Sequence, residues 1–319
     1  MRAIDLTAVT EKAAAYEVDR WYREGRESFA AHLRPAELLQ LATITLKAEA
    51  VSSRQLEIAV HFVQSHGFEV VAARPVRFDA SNVHQLWMYH WNVATPDRRA
   101  LAQDLLSIGA ALLLVVVDRS HPQLVPASAK LSALKGPAYP DRRQPNHLRS
   151  LLGARGRMLT FVHTADEPAD VLRELGLLFS ASHRDDLVRD IAQGPSDPDL
   201  VAQLIASLYD RYPERSMDPN RGYAAFRRSL ELTAERANHS ESHAARAALE
   251  VLDVDRQLPG QLPWRQLRNH SLAALPEMDL WDPILYATER VLHDQPGSEP
   301  ELRDGTGEDW EALARSETP

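Results

Sequence analysis

The chain has 319 residues with 36 basic against 45 acidic side chains, a formal net charge of −9, so general nucleic-acid binding is not expected and only a local basic pocket fits that balance. At 44% hydrophobic and 25% charged residues it reads as a soluble globular chain, long enough for one large or two ordinary domains, and the apolar run 108–117 is about half of what a membrane helix needs. The absence of cysteine excludes disulfides, thiolate metal sites and cysteine nucleophiles, and the charged N-terminus lacks an apolar signal core, so a cytoplasmic protein is expected.

Residues 1–40 read as a helical arm, with Ala14, Val18, Trp21, Tyr22 and Phe29 at mixed three- and four-residue spacing, and are taken as a packing or interaction element. Residues 41–46 (LATITL) predict a strand that ends at Lys47-Ala48-Glu49-Ala50. Ser52 or Ser53 is expected to cap a helix with the apolar face Leu56, Ile58, Ala59, Phe62 and Val63, stopped by His66-Gly67. A strand over 68–78 and helices over 80–91 and 96–107 follow. The wholly apolar segment 110–117 reads as a strand central to a sheet. Residues 126–134 predict a short helix, 136–146 a Pro- and Arg-rich loop and 148–152 a turn.

Met158-Leu159-Thr160-Phe161-Val162-His163 then reads as a short buried strand ending in a lone histidine. Residues 164–168 (TADEP) have the composition of a helix N-terminus, and the helix runs to Phe179. A histidine at a strand end, beside the positive end of a helix, is placed to handle phosphate; a capping or half-buried structural histidine is the ordinary alternative. Four strands with helices between them predict an α+β, ferredoxin-like βαββαβ sandwich over 41–182.

An all-α region is expected over 183–294, from helical patterns at 184–193, 198–212, 219–237, 240–256 and 283–292. The acidic, Gly- and Pro-bearing segment 295–319 reads as a flexible tail in which Trp310 docks. His239 and His243 have metal-ligand spacing, but no third ligand accompanies them, so no metal is expected there. Only four of the basic residues are lysines, Lys12, Lys47, Lys130 and Lys135, and three of these lie in the same region as His163. Lysine and arginine are not interchangeable at phosphate sites, so the retained lysines are of interest.

Five segments, taken in order, carry a family resemblance. A strand end reads Lys47-Ala48-Glu49-Ala50-Val51, a helix-to-strand turn Ser65-His66-Gly67-Phe68, and the central strand follows Ser107-Ile108-Gly109-Ala110. The histidine stands in Val162-His163-Thr164-Ala165-Asp166, and the next helix carries Glu174-Leu175-Gly176-Leu177-Leu178-Phe179. In this order and spacing residues 41–180 resemble the nucleoside diphosphate kinase family. There the strand end is of Lys-Pro-Asp-Gly-Val type, the histidine precedes Gly-Ser-Asp, and the helix reads Glu-Ile-x-Leu-Trp-Phe.

The resemblance implies a phosphotransferase in which His163 takes the γ-phosphate of an NTP supplied with Mg2+, holds it as a phosphohistidine and passes it to a nucleoside diphosphate or another small-molecule acceptor. It implies that Glu174 orients His163, that Lys47 contacts the transferred phosphate and that Arg149 binds nucleotide phosphates. Lys130 falls near a further phosphate-binding arginine of the family, with an offset of a residue or two left open. Tyr89 and His90 fall near a tyrosine of the substrate cleft with the same ambiguity. Thr160 stands where the family has an asparagine, and 136–146 is the active-site loop, whose Arg142 and Arg143 face either phosphate or solvent.

Departures fall on the surroundings of the histidine: Ala48-Glu49-Ala50 for Pro-Asp-Gly, Thr160 for asparagine, and Ala165 for a serine that supports the glutamate. They bear on nucleotide binding more than on the nucleophile, and they leave a second reading, a catalytically impaired kinase-like nucleotide-binding or scaffold protein. The expected ligands are a nucleotide and a small-molecule substrate, with neither nucleic acid nor membrane. Family members usually assemble as hexamers or tetramers, so a homo-oligomer is among the expectations, with the added segments placed to interfere with that packing.

Overall fold

A computed structural model describes residues 5–120, 124–236 and 239–316. Strands β1 (Leu41–Leu46), β2 (Phe68–Arg77), β3 (Ala110–Asp118) and β4 (Val162–Thr164) form one antiparallel sheet in the order β2-β3-β1-β4. All nine residues of β3 are buried, because helices cover both faces of the sheet. Side chains alternate across a strand, so Leu112, Leu114 and Val116 enter one core while Leu113, Val115 and Val117 enter the other.

The helices before the last strand are α1 (Thr10–Val18), α2 (Arg20–Ala30), α3 (Pro35–Leu39), α4 (Ala48–Ser52), α5 (Leu56–Ser65), α6 (Ala80–Leu86), α7 (Pro96–Ser107), α8 (Ala127–Lys135) and α9 (Leu148–Leu151). After it come α10 (Pro168–Leu178), α11 (Ala181–Gln193), α12 (Pro198–Arg211), α13 (Pro219–Arg236), α14 (His239–Gln257), α15 (Trp264–Ala274), α16 (Trp281–Ala287) and α17 (Gly307–Ser316). The expected sandwich is present as an antiparallel four-stranded sheet with helices, followed by a further helical region. Among the described residues no helix is long and apolar enough to cross a membrane.

Several boundaries differ from the sequence reading for local reasons. The arm is broken at Asp19, whose carboxylate accepts from the Tyr22 amide at 2.9 Å and so starts a new helix. Neither Ser52 nor Ser53 starts the helix expected there: residue 48 already begins α4, which Ser53 ends, and Arg54 at φ +60° turns the chain into α5. Helix 80–91 ends at Leu86 and continues as a single tight turn, Met88–His90. The histidine strand is three residues long rather than six, because Phe161 adopts φ +63° and takes the chain out of the sheet.

The helical region does not have a core of its own. Trp264 of α15 is fully buried in the same apolar cluster as Leu105 and Leu112, and its indole N–H donates to Asp104 of α7 at 2.8 Å. The segment expected to be a flexible tail has defined contacts over 295–316, with Trp310 buried; residues 317–319 lie outside the described residues.

The closest helix contact joins the arm to α10. Gly25 of α2 packs on the carbonyl of Leu172, and Gly176 of α10 on the carbonyl of Trp21. A Cβ at Gly176 would stand 2.0 Å from that carbonyl oxygen, which is backbone and cannot swing aside. Alanine is the better helix former, so a stabilised Gly176→Ala would be the naive expectation. Overpacking reverses the sign: Gly176→Ala is expected to lose about 3 kcal/mol in chemical denaturation, and unchanged stability would show that the two helices are free to separate.

Candidate functional site

His163 lies opposite Thr45 in the β1–β4 pairing, on the sheet face covered by α10. The chain reaches it through a strained turn. The amide of Val162 donates to the carbonyl of Thr160 at 2.7 Å, which with Phe161 at φ +63° closes a γ-turn, a conformation a non-glycine residue holds only when its surroundings enforce it. The buried carboxylate of Glu49 accepts from the Phe161 amide at 3.1 Å, while the Phe161 carbonyl accepts from the Lys47 amide at 2.9 Å. Glu49, which the sequence reading treated only as a departure, therefore pins the turn that sets the histidine.

The His163 ring is bound by its Nε2, which donates to Glu174 Oε1 at 2.6 Å. A carboxylate can only accept, so in the neutral imidazole the proton belongs on Nε2 and the lone pair on Nδ1. Nδ1 has no hydrogen-bond partner among the described residues. Glu174 is 5% exposed, and its second oxygen accepts from Thr43 Oγ1 of β1 at 3.4 Å. A hydroxyl thus reaches the glutamate from another strand, although Ala165 provides none. Trp87 and the imidazole pack edge to face, with ring centres 5.3 Å apart.

Two adjoining lobes, of about 580 and 180 Å³, open beside this pair, and His163, His90, Arg149 and Trp87 line both. Lys47 borders the small lobe; its ammonium lies 2.6 Å from Glu49 and donates to Thr160 Oγ1 at 2.9 Å. Burial holds its pKa below the usual lysine value, against the pull of Glu49. Arg149 donates to the carbonyls of Gly136 at 2.7 Å and Val162 at 3.2 Å. Burial, with Arg143 nearby, pushes its pKa down to about 10. Among the described residues Arg149 has no carboxylate in ion-pair range, and its Nε is buried without a partner.

Lys130 is a correction. Its ammonium pairs with Asp118 at 2.6 Å and sits 4.9 Å over the Phe68 ring, bordering neither lobe. Lys135 faces the large lobe instead, 3.3 Å from Asp166, whose carboxylate also accepts from Ser132. Lys135 and the Ser132 bond keep that carboxylate below the ordinary range despite its burial. Lys12, read as part of a structural arm, also lines the large lobe with Tyr16, held by Asp170 at 2.8 Å and Glu167 at 2.9 Å. Nothing local in the sequence linked the arm to the cleft.

Tyr89 and His90 are both in the large lobe, but Tyr89 donates to Asp19 at 3.1 Å and His90 Nε2 pairs with Asp304 at 3.1 Å. Burial would lower the His90 pKa; the Asp304 carboxylate outweighs it and raises it. Arg142 stacks on Tyr139 and Arg143 donates to the carbonyls of Pro137, Ala138, Ala154 and Gly156, so Arg143 closes the loop on itself. His239 and His243 are exposed on α14, and no trio of His, Asp and Glu side chains among the described residues could hold a metal.

Residues from beyond the sandwich brace the walls. Arg98 and Arg157 of the small lobe both pair with Asp294, Arg157 at 2.6 Å. The amide of Thr95 donates to the His293 carbonyl at 3.0 Å, and that of Gln295 to Val93 at 2.7 Å.

Residues 40–183 match the family model described as nucleoside diphosphate kinase. Solved structures similar to the chain include a nucleoside diphosphate kinase of Aquifex aeolicus, at 21% identity and TM-score 0.37, over 44% of this chain and 95% of that one. A halophilic nucleoside diphosphate kinase of Halobacterium salinarum, solved with CDP, matches at 19% identity and TM-score 0.36, over 44% and 87%. An NDP kinase of Pyrobaculum aerophilum matches at 15% identity and TM-score 0.36, over 44% and 96%. No curated protein matches the chain.

The segment that braces the small lobe's arginines also makes a pH prediction. Burial, with Arg157 and Arg98 nearby, pushes the His293 pKa down to about 4 from the ordinary 6.5. The unfolded chain binds this proton where the folded chain does not, so the His293 contribution is whole above pH 6.5 and is lost as the pH falls toward about 4. His293→Asn is expected to flatten the decline in stability across that window, measured by urea unfolding at stepped pH; equal slopes in both proteins would contradict it.

Proposed function

We propose, from the premise that residues 40–183 form a nucleoside diphosphate kinase-like domain, that the protein is a nucleotide-dependent phosphotransferase acting through a phosphohistidine at His163. The observation that carries this reading is the 2.6 Å bond from His163 Nε2 to the buried Glu174, which leaves Nδ1 as the nucleophilic nitrogen.

In the first half-reaction Nδ1 attacks the γ-phosphorus of a magnesium-bound NTP. The N–P bond forms, the bond from phosphorus to the β,γ-bridging oxygen breaks, and the NDP leaves with that electron pair. Glu174 fixes the tautomer and offsets the positive charge that the imidazole acquires on phosphorylation, with Thr43 holding its other oxygen. In the second half-reaction an acceptor oxygen attacks the same phosphorus and His163 is released. The protein supplies position and charge at phosphorus while His163 alone bonds to it; Lys47 and Arg149 are cations bonded to the residues leading into the histidine, Thr160 and Val162.

The carboxylates of the cleft do not fit a protein-held Mg2+, since Asp166, Asp170 and Asp304 are each bound to a basic side chain. The ion belongs with the nucleotide, as part of the substrate. The acceptor is a nucleoside diphosphate or another small molecule. A second reading, an impaired kinase-like nucleotide-binding protein or scaffold, draws on one observation: most cations of the cleft are already paired within the chain.

Incubation with γ-labelled ATP distinguishes the two. Acid-labile, base-stable label is expected on the wild type and none on His163→Ala. Glu174→Gln keeps the hydrogen-bonding shape but not the charge, and is expected to slow labelling by about a hundredfold. Wild-type protein that takes no label at any nucleotide or Mg2+ concentration would favour the second reading.

A further inference from the structure

Residues 295–310 run as a strap along the rim of the large lobe, outside the segment that matches the kinase family. The strap follows the loop after α6. The Asn92 side chain donates to the Glu299 carbonyl at 2.7 Å, and the Glu301 amide to the Tyr89 carbonyl at 3.1 Å. Leu302 is buried in the core shared with α10. Asp304 then reaches His90, and Gly305 lies flat against the carboxylate of Glu167. Arg303 and Thr306 bind Asp309, which seats α17 and with it the buried Trp310.

From Asp304 to Gly307 the strap forms one wall of the lobe whose other walls carry His90, Lys135, Arg149 and His163. A carboxylate is therefore already bound, within that lobe, to a side chain that a phosphate would use. An anionic ligand that uses His90 must compete with Asp304, and a ligand in the lobe lies against the strap backbone.

We propose that residues 299–307 are an autoinhibitory strap, docked through Asp304 on His90 and Gly305 on Glu167, which a phosphate-chain ligand displaces when it takes His90 from Asp304 in the large lobe. The proposal rests on the reading of the cleft as a phosphate site. In-line displacement adds a consequence: the leaving oxygen of the first half-reaction and the attacking oxygen of the second both stand opposite His163 Nδ1 across the phosphorus. Donor and acceptor need the same space, so the strap restrains both half-reactions alike.

Two substitutions release the strap by unrelated means and leave the other walls intact. Asp304→Asn removes the ion pair with His90. Gly305→Ala keeps Asp304 but places a Cβ 2.1 Å from the Glu167 carboxyl carbon. Glu167 cannot yield, since Thr7 Oγ1 and the Ala8 amide each donate to it at 2.7 Å and Lys12 holds it at 2.9 Å.

ADP is the probe, because it binds without phosphorylating His163. In the wild type, saturating ADP is expected to speed amide hydrogen exchange across 299–310, a measurement that needs no variant. Both variants are expected to bind ADP about tenfold more tightly. Unchanged or slower strap exchange with ADP overturns the proposal, as does the absence of ADP binding in all three proteins. Tighter binding by Asp304→Asn alone also overturns it, since that result reports relief of charge repulsion without displacement. Strap release by ADP in a protein that never takes label would leave the strap standing and remove the phosphohistidine.

Discussion

The seating of α10 is the constraint on which the cleft depends. One helix brings Glu174 to His163, Asp170 and Glu167 to Lys12, and Arg173 to Asp19. A hydrogen bond of 2.6 Å across two elements tolerates little play, and the helix is held against the arm by backbone contact on both sides, Gly25 on Leu172 and Gly176 on Trp21. Removing side chains from such a contact lets two helices approach until their backbones touch, which fixes their spacing more tightly than an apolar seam with rotamer freedom. The N-terminal arm is thus the wall that α10 leans on, and Lys12 from that arm neutralises the two carboxylates at the helix's first turn.

The same economy governs the charges. Desolvated cations are tolerated only when paired or hydrogen-bonded, and Lys12, Lys47, Lys135, Arg98 and Arg157 each have a carboxylate inside the chain. Such pairs present less net charge to an incoming phosphate than the residue types suggest. Arg149 differs: it is buried, bound to two carbonyls, and carries an Nε with no partner. One of its bonds is to Val162, the residue before His163, so its positive charge is fixed to the strand that bears the histidine. A phosphate bound there would regain part of the solvation that the guanidinium loses on folding.

Much of the sandwich was legible from pattern alone. Strands over 41–46 and 110–117 and the helix over 96–107 were marked by apolar runs and by Pro at a helix start, and the structure has them as Leu41–Leu46, Ala110–Asp118 and Pro96–Ser107. The pairing of His163 with Glu174 was implied by the family resemblance and has a direct bond. The surroundings were not legible. Periodicity reports which face is buried and says nothing of φ, so the turn at Phe161 and the role of Glu49 beneath it stayed hidden. Lys130 and Lys135 are five residues apart, which on a helix of 3.6 residues per turn puts them on widely different faces; the offset of a residue or two left open at Lys130 does not reach Lys135, and nothing in the sequence marked the later lysine as the cation beside Asp166. Thr43 could not be connected with Glu174 because the link crosses 131 positions. The tail has the composition of disorder, and its backbone bonds to Tyr89 and Val93 are equally non-local.

What the matched segment does not contain is therefore as informative as what it does. The sandwich holds His163, Glu174, Lys47 and Arg149, but two arginines of the small lobe are bridged by Asp294 from beyond it, and the large lobe is lined by Lys12 before it and Asp304 after it. For phosphoryl transfer through His163 the acceptor must occupy the space the donor's leaving group vacated, so the walls that admit one admit the other. A volume of about 180 Å³ is below the usual range of ligand pockets, whereas about 580 Å³ lies within it. On the proposed reading, the size and charge of an acceptor would be set less by the neighbours of His163 than by the Asp294 bridge between Arg98 and Arg157 and by the position of the strap. Both are contributed by the C-terminal part of the chain, whereas His163 and Glu174 stand in the matched segment.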